Sequence, residues 1–191
     1  MTDPIARFRD WFDVARDAGV PLPETMTLAT ASAAGAPSAR MVLLKGVDDD
    51  GFVFFTGYES RKGDELAENP RAALVFYWQP LGRQVRVEGT VERVSEAESA
   101  AYFATRPRAS RLAAWTSRQS RPLESREELE RRYAELEREH EGRDVPLPPH
   151  WGGFRVRPDA IEFWEHRDSR LHDRVRYTRA RDGWAAQRLW P

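Results

Sequence analysis

From Thr25 to Val94 the chain is a close succession of short apolar, β-branched and aromatic segments: "TMTLATAS", "SARMVLLKGV", "FVFFTG", "RAALVFYW" and "RQVRVEGTVERV". Turn-forming sequence separates them, as in "AAGAP", "DDDG", "NP" and "QPLG". Strands this short and this closely spaced pair as antiparallel neighbours, whereas a doubly wound parallel sheet needs a helix between successive strands. The patterns GxGxxG and GxxxxGK[ST] are both absent, which removes the Rossmann and P-loop nucleotide sites. A second group, "GGFRV", "AIEFWEH", "RLHDRVRYT" and "GWAAQRL", closes the chain, its last two members joined by a turn at Asp182–Gly183. The expected fold is mainly β, an antiparallel sheet or barrel with flanking helices.

Four helices are predicted around these strands. Asp3 caps the first and Pro4 suits its first turn; Ile5, Phe8, Phe12 and Ala15 form one stripe, and Gly19 stops it. Ser60 opens a short helix that closes at Asn69. Ser95 with Glu98 forms a capping box for a helix to about Ala104, and Ser125 with Glu128 opens another to about Glu141. The last has a narrow apolar edge of Leu129, Tyr133 and Leu136, and the pairs Glu127–Arg131 and Glu128–Arg132 at helical spacing. It reads as a solvated surface helix.

A chain of 191 residues is expected to form one domain, residues 1–191, with a core that needs no staples. There are no cysteines, which excludes disulfides, thiolate nucleophiles and cysteine-held metals and fits a reducing cytoplasm. The net charge of −1 gives no field that would draw nucleic acid or a membrane surface. No apolar run reaches membrane-spanning length, and no signal-peptide core is seen.

Of 30 Lys and Arg residues only two are lysines, Lys45 and Lys62. A compact ammonium and a planar guanidinium are not interchangeable, so these two positions draw notice. In "ESRKGDEL" Ser60, Arg61 and Lys62 stand at a helix start, where free N–H groups and the helix dipole favour an anion; a phosphate site or a screened basic turn would explain them. In "RLHDR", strand alternation would put Arg170, His172 and Arg174 on one face and Leu171 on the other, with Trp164 of "IEFWEH" nearby. In "YFATRPRAS", Tyr102, Arg106 and Ser110 are spaced by four and suit a phosphate monoester if Pro107 leaves their shared face intact. Neither a metal-ligand cluster nor a nucleophile elbow is present.

Taken together, "RMVLLK", "SRK", "NPR", "RQVRVEG", "YFATRPRAS", "AAWTSRQS", "VPLPPHWGGFRV", "IEFW" and "RLHDR" resemble, in order, the pyridoxine/pyridoxamine 5′-phosphate oxidase family. The resemblance implies an FMN-binding split β-barrel, a homodimer with FMN at its interface, and C-terminal strands from about residue 151 that complete the site. It implies oxidation of pyridoxamine and pyridoxine 5′-phosphates to pyridoxal 5′-phosphate, with O₂ reduced to H₂O₂. The FMN contacts it implies are Arg40, Met41, Val42, Leu43, Leu44, Lys45, Phe55, Thr56, Arg61, Lys62, Gln84, Gln119, Ser120, Trp164 and Arg174. It places Lys45, Tyr102, Arg106 and Ser110 at the substrate phosphate, and Arg170, Leu171 and His172 at the substrate ring, with Arg170 and His172 as the catalytic pair. Strict alternation would set Arg40 and Lys45 on opposite faces, so an irregularity between them is expected. The family's N-terminal Arg-x-x-Tyr cover is expected to be absent or replaced. Glu165 stands where glutamine is usual, and Trp190 where a small residue is. Two other functions suit the same barrel: a phenazine-biosynthesis flavin oxidase, and a non-enzymatic flavin- or pyridoxal-phosphate-binding protein.

Overall fold

The computed structural model of the chain describes residues 3–191. In chain order it runs α1 (Pro4–Asp17), β1 (Thr25–Ala31), β2 (Pro37–Leu43), β3 (Gly46–Asp48), β4 (Gly51–Gly57), α2 (Arg61–Glu68), β5 (Arg71–Trp78), β6 (Arg83–Arg93), α3 (Glu96–Thr105), α4 (Arg108–Thr116), α5 (Arg126–Glu139), β7 (Trp151–Glu165), β8 (Asp173–Ala180) and β9 (Gly183–Arg188). The strands form one antiparallel sheet in the order β2-β1-β5-β6-β7-β4-β3, with β8 and β9 branching from β7. The sheet curls into a split β-barrel with helices at its flanks, as expected.

The split is written into β7. One edge of this 15-residue strand pairs with β6 over most of its length. On its other edge Trp151–Val156 pairs with β4, and Ala160–Glu165 pairs with β8. Between the two lies Pro158, which has no N–H to give a ladder. There the register to β6 slips: Glu88 faces Ala160, Gly89 faces Pro158, and Asp159 is the extra residue. A Cβ on Gly89 would lie 2.0 Å from the Arg157 carbonyl oxygen, so the bulge closes on a glycine. The sequence suggested two strands here, "GGFRV" and "AIEFWEH"; the bulge lets one strand run through both.

The core is aromatic and is plugged by α1. Asp3 caps α1 by accepting the Ile5 N–H, and Ile5, Phe8 and Ala15 are buried while Phe12 is half-buried. The Phe8 ring lies edge-on to Phe52 and Phe76, with centroids 4.8 and 4.9 Å away. Leu28, Leu74, Val85, Val87 and Ile161 complete the inward faces of their strands.

Four expectations need correction. "SARMVLLKGV" is two strands. The chain leaves β1 at Leu44, whose N–H donates to the Glu24 carbonyl, and joins β4 at Lys45, whose N–H donates to the Val53 carbonyl. This switch of partners is the irregularity expected between Arg40 and Lys45. "RLHDRVRYT" becomes a strand only at Asp173: Asp168–Arg170 is a 3₁₀ turn, with φ of 56° at Ser169 and 62° at Arg170. Arg170, His172 and Arg174 therefore do not share a strand face. α3 ends at Thr105, and Pro107 starts α4, so Tyr102, Arg106 and Ser110 do not share one helix. On α5 the i,i+4 pairs are Arg126–Glu130 and Arg131–Glu135, in place of the two expected.

Phe8→Ala should cost about 3–5 kcal/mol of unfolding free energy, because the aromatic packing around α1 has nothing to collapse into the space. Urea denaturation measures it; a loss below about 1 kcal/mol would contradict this role for α1.

Candidate functional site

Around the start of α2, Thr30, Thr56, Ser60, Lys62 and Glu65 are buried polar residues. Ser60 caps the helix by accepting the Gly63 N–H. A Cβ on Gly63 would lie 1.9 Å from the Tyr58 carbonyl oxygen, so the first turn is pressed against the end of β4. That closeness buries Lys62, which is 6% exposed. Its ammonium donates to Thr56 Oγ1 at 3.1 Å, Ser60 Oγ at 3.2 Å and Gln119 Oε1 at 3.3 Å, all neutral oxygens. Gln119 is held in turn by the Thr56 hydroxyl at 2.8 Å and the Gly57 N–H at 3.2 Å. Burial, and then the nearby Arg40 charge, push the Lys62 pKa down to about 8 against the upward pull of Glu65.

Arg40 and Arg61 approach the same place. Arg40, on β2, donates to Ser38 Oγ, Thr30 Oγ1 and the buried Glu65 carboxylate; Arg61 donates to Glu65 at 2.9 Å. Thus Arg40 and Arg61 are joined through Glu65, and Thr56, Lys62 and Gln119, also implied as FMN contacts, form an adjoining network. Three cations and a capped helix start, with one internal carboxylate among them, are a fit for a phosphate dianion.

A cavity of about 290 Å³ opens beside this network, bordered by Gly57, Ser60, Gln119, Trp151 and Arg106. Trp151 at its border belongs to a stack of rings: Phe55 lies on Tyr102 at 4.0 Å and on Trp151 at 5.6 Å, nearly parallel to both. The Arg106 guanidinium sits 4.7 Å over Trp151. Its Nη1 is buried without a hydrogen-bond partner, and burial lowers its pKa from the usual arginine value. A buried donor left unpaired is costly, so this atom fits an anionic ligand.

The remaining implied residues lie apart from these two clusters. Gln84, Trp164 and Arg174 face one another across β6, β7 and β8 in a single row on the outer side of the sheet. Arg174 is engaged with buried Glu162 at 2.8 Å and with the Trp190 carbonyl. His172 lies 4.6 Å from Trp164, and its Nδ1 accepts the Arg167 N–H, so the neutral ring carries its proton on Nε2. Arg170 and Leu171 are exposed. Met41 and Leu43 point outward from β2, while Val42 and Leu44 pack toward the core. Lys45 is exposed beside α1, in a groove with Arg9 and Phe12 and separate from the Arg106 cavity. Ser120 is exposed, with φ of 69°, and Ser110 is half-buried.

Glu65, Thr30 and Ser38 were not singled out from sequence. Two signals were present: Glu65 is four residues after Arg61 on a helix, and Ser38 is two before Arg40 on a strand.

Fold and site together define a split barrel with a capped, cation-flanked helix start beside a cavity bordered by Trp151. The family model described as pyridoxamine 5′-phosphate oxidase matches residues 13–139, and one described as the pyridoxine 5′-phosphate oxidase C-terminal dimerisation region matches residues 151–191. A pyridoxine/pyridoxamine 5′-phosphate oxidase of Rubrobacter xylanophilus is 63% identical over 99% of this chain and 87% of that protein. One from Paraburkholderia phymatum is 59% identical over 99% of this chain and 89% of that protein. Among solved structures, PhzG from Burkholderia lata, in complex with tetrahydrophenazine-1-carboxylic acid, superposes with a TM-score of 0.95 at 34% identity, covering 100% of this chain and 94% of that one. A pyridoxamine 5′-phosphate oxidase-related, FMN-binding protein of Nostoc punctiforme shares the fold, with a TM-score of 0.79 at 18% identity over the full length of both chains. The chain belongs to the pyridoxamine 5′-phosphate oxidase family, whose members are flavoprotein oxidoreductases. No helix among the described residues is long and apolar enough to cross a membrane.

Between about pH 8 and the ordinary lysine value of 10.5, the unfolded chain holds the Lys62 proton that the folded protein has released, so this group makes folding more favourable as pH rises through that window. A bound phosphate dianion would reverse the release. Binding of FMN to apoprotein should therefore take up a proton at about pH 9, approaching one per site, and almost none near pH 7. Calorimetry in buffers of different ionisation enthalpy reads the uptake; none at pH 9 would place Lys62 away from the phosphate.

Proposed function

We propose that this protein oxidises pyridoxamine 5′-phosphate and pyridoxine 5′-phosphate to pyridoxal 5′-phosphate with FMN as cofactor, O₂ being reduced to H₂O₂; with the amine, water supplies the aldehyde oxygen and ammonia leaves. The observation that carries this is a pair of anion-seeking positions: the Arg40–Arg61–Lys62 cluster, whose Lys62 bonds to Ser60 and Gln119 at the border of the cavity, and Arg106 with its unpartnered Nη1 on the cavity itself. Two phosphates, one on the cofactor and one on the substrate, satisfy them. The whole chain would act as one unit, in a homodimer that places FMN between subunits, and its setting would be the cytoplasm. The match to a dimerisation region over residues 151–191 supports the dimer, as do the exposed Met41 and Tyr77 on the outer face of the sheet.

When bound, FMN would supply the acceptor for a hydride equivalent from the substrate's C4′ carbon, with O₂ as the final oxidant. The protein's own groups do the rest. Arg40, Arg61 and Lys62, with Thr56 and Gln119, would hold the cofactor phosphate. Gln84, Trp164 and Arg174, with the Met41–Leu44 backbone, Lys45 and Ser120, would complete its contacts from one or other chain. Arg106, with Tyr102, Ser110 and a Lys45 from one or other chain, would hold the substrate phosphate and so fix the ring's distance from the cofactor. Arg170 would hold the substrate ring, Leu171 would border it, and His172, with its Nε2 proton, would offer a hydrogen bond to it.

The second reading, a phenazine-type oxidase, rests on the likeness to the Burkholderia lata structure. Arg106 could meet a carboxylate as well as a phosphate. The discriminating test is H₂O₂ production by the FMN-loaded protein from pyridoxine 5′-phosphate. Turnover of the phosphorylated vitamer is expected; turnover only of a carboxylated tricycle would overturn the proposal. Arg106→Ala should lower kcat/KM for pyridoxine 5′-phosphate about 10- to 100-fold, the range for losing a hydrogen bond to a charged group. Unphosphorylated pyridoxine should respond little, and equal losses for both would show that Arg106 does not read the phosphate.

Arg170→Ala and His172→Ala should keep FMN and lose most turnover. Flavin absorbance and steady-state rates check this; near-normal turnover in both variants would make the 168–172 turn a surface loop.

A further inference from the structure

We infer that Glu65 is a positioning residue for the cofactor phosphate: it holds Arg40 and Arg61 in place for the ligand and touches no ligand itself. This rests on the α2 start being the FMN phosphate site and adds to it a group that no implied contact includes. Glu65 is 6% exposed on the inner side of α2. Its Oε2 accepts the Ser38 hydroxyl at 2.6 Å, the Thr30 hydroxyl at 2.5 Å and Arg40 Nη2 at 3.1 Å. Its Oε1 accepts Arg61 Nε at 2.9 Å. The same two hydroxyls accept from Arg40, so carboxylate, hydroxyls and guanidinium close a ring of hydrogen bonds spanning β1, β2 and α2. Burial alone would push the carboxyl pKa up, but the bonds from Ser38, Thr30, Arg61 and Arg40 outweigh it and hold the group at about 2. Glu65 is thus charged at every working pH.

Its effect on an incoming phosphate could have either sign. As a bare countercharge it would compete with the ligand, and removing it would tighten binding. As a holder it fixes Arg40 and Arg61 before the ligand arrives, and removing it would loosen two cations that then repel each other and Lys62. The geometry favours the holder. Four donors converge on one carboxylate, whereas Lys62, the most buried cation, makes no ion pair and is left to neutral oxygens. The carboxylate is spent on orienting the two arginines, and the charge still unmatched is the one at the helix start.

The test measures binding of FMN and of riboflavin, which lacks the phosphate, to apoprotein by quenching of flavin fluorescence. In Glu65→Gln, FMN should bind at least tenfold more weakly, riboflavin should change less than about twofold, and kcat at saturating FMN should stay near wild type. Unchanged or tighter FMN binding would overturn the role. If Glu65→Gln does not fold, Ser38→Ala keeps both charges while breaking the ring. It should weaken FMN several-fold and spare riboflavin, and an unchanged FMN affinity would overturn the role equally. Wild-type protein that binds riboflavin as tightly as FMN would overturn the phosphate site itself, and Glu65's part with it. Wild-type preference for FMN with no effect of either variant would overturn Glu65's part alone.

Discussion

Strand β7 pairs along one edge with β6 and divides its other edge between β4 and β8. Everything that matters for the site depends on that division. The β4 branch carries Thr56 to Lys62 and Gln119 and Gly57 to the cavity, and it ends against α2, whose first turn it buries. The β8 branch carries Arg174, and the turn before it carries Arg170 and His172. Pro158 and Gly89 enforce the division, one by lacking a donor and the other by lacking a side chain. A straight, regular β7 would pair with a single neighbour on that edge and would bring only one set of residues to the sheet's end.

The β4 branch gives the site its charge distribution. Lys62 is buried by the close contact of Gly63 with Tyr58, yet is offered only neutral oxygens. Arg40 and Arg61 are held by Glu65, and Arg106 is left with a buried, unpartnered nitrogen. In a chain of net charge −1, this local surplus of positive charge is a property of the site and not of the surface. Buried cations cost solvation, and a phosphorylated ligand is the natural compensation.

Much of this was legible in the sequence. Strand spacing and turn signals gave the antiparallel class, and Ser60 gave the cap of α2 with two cations beside it, because both rest on local rules. The failures were non-local. "RLHDR" reads as a strand by alternation, but Ser169 and Arg170 adopt positive φ, which nothing in their types demands. "SARMVLLKGV" reads as continuous because the change of partner at Leu44–Lys45 leaves its apolar pattern intact. In sequence Glu65 looks like any helix carboxylate near a cation; only the packing of α2 on β1 and β2 makes it a buried hub. Within one chain, Lys45 and Arg106 border different cavities, which position along the sequence could not reveal.

The central claim is that the α2 start holds the phosphate of FMN as a dianion. The ³¹P resonance of FMN bound to the protein tests it most directly, because that shift reports the phosphate's protonation. Free phosphate monoesters take up their second proton near pH 6, with a pKa₂ of about 6. Held by Lys62, Arg40 and Arg61, the bound phosphate should stay dianionic, and its shift should be flat from about pH 8 down to about pH 5. A bound signal that titrates near pH 6 like the free ester would contradict the claim.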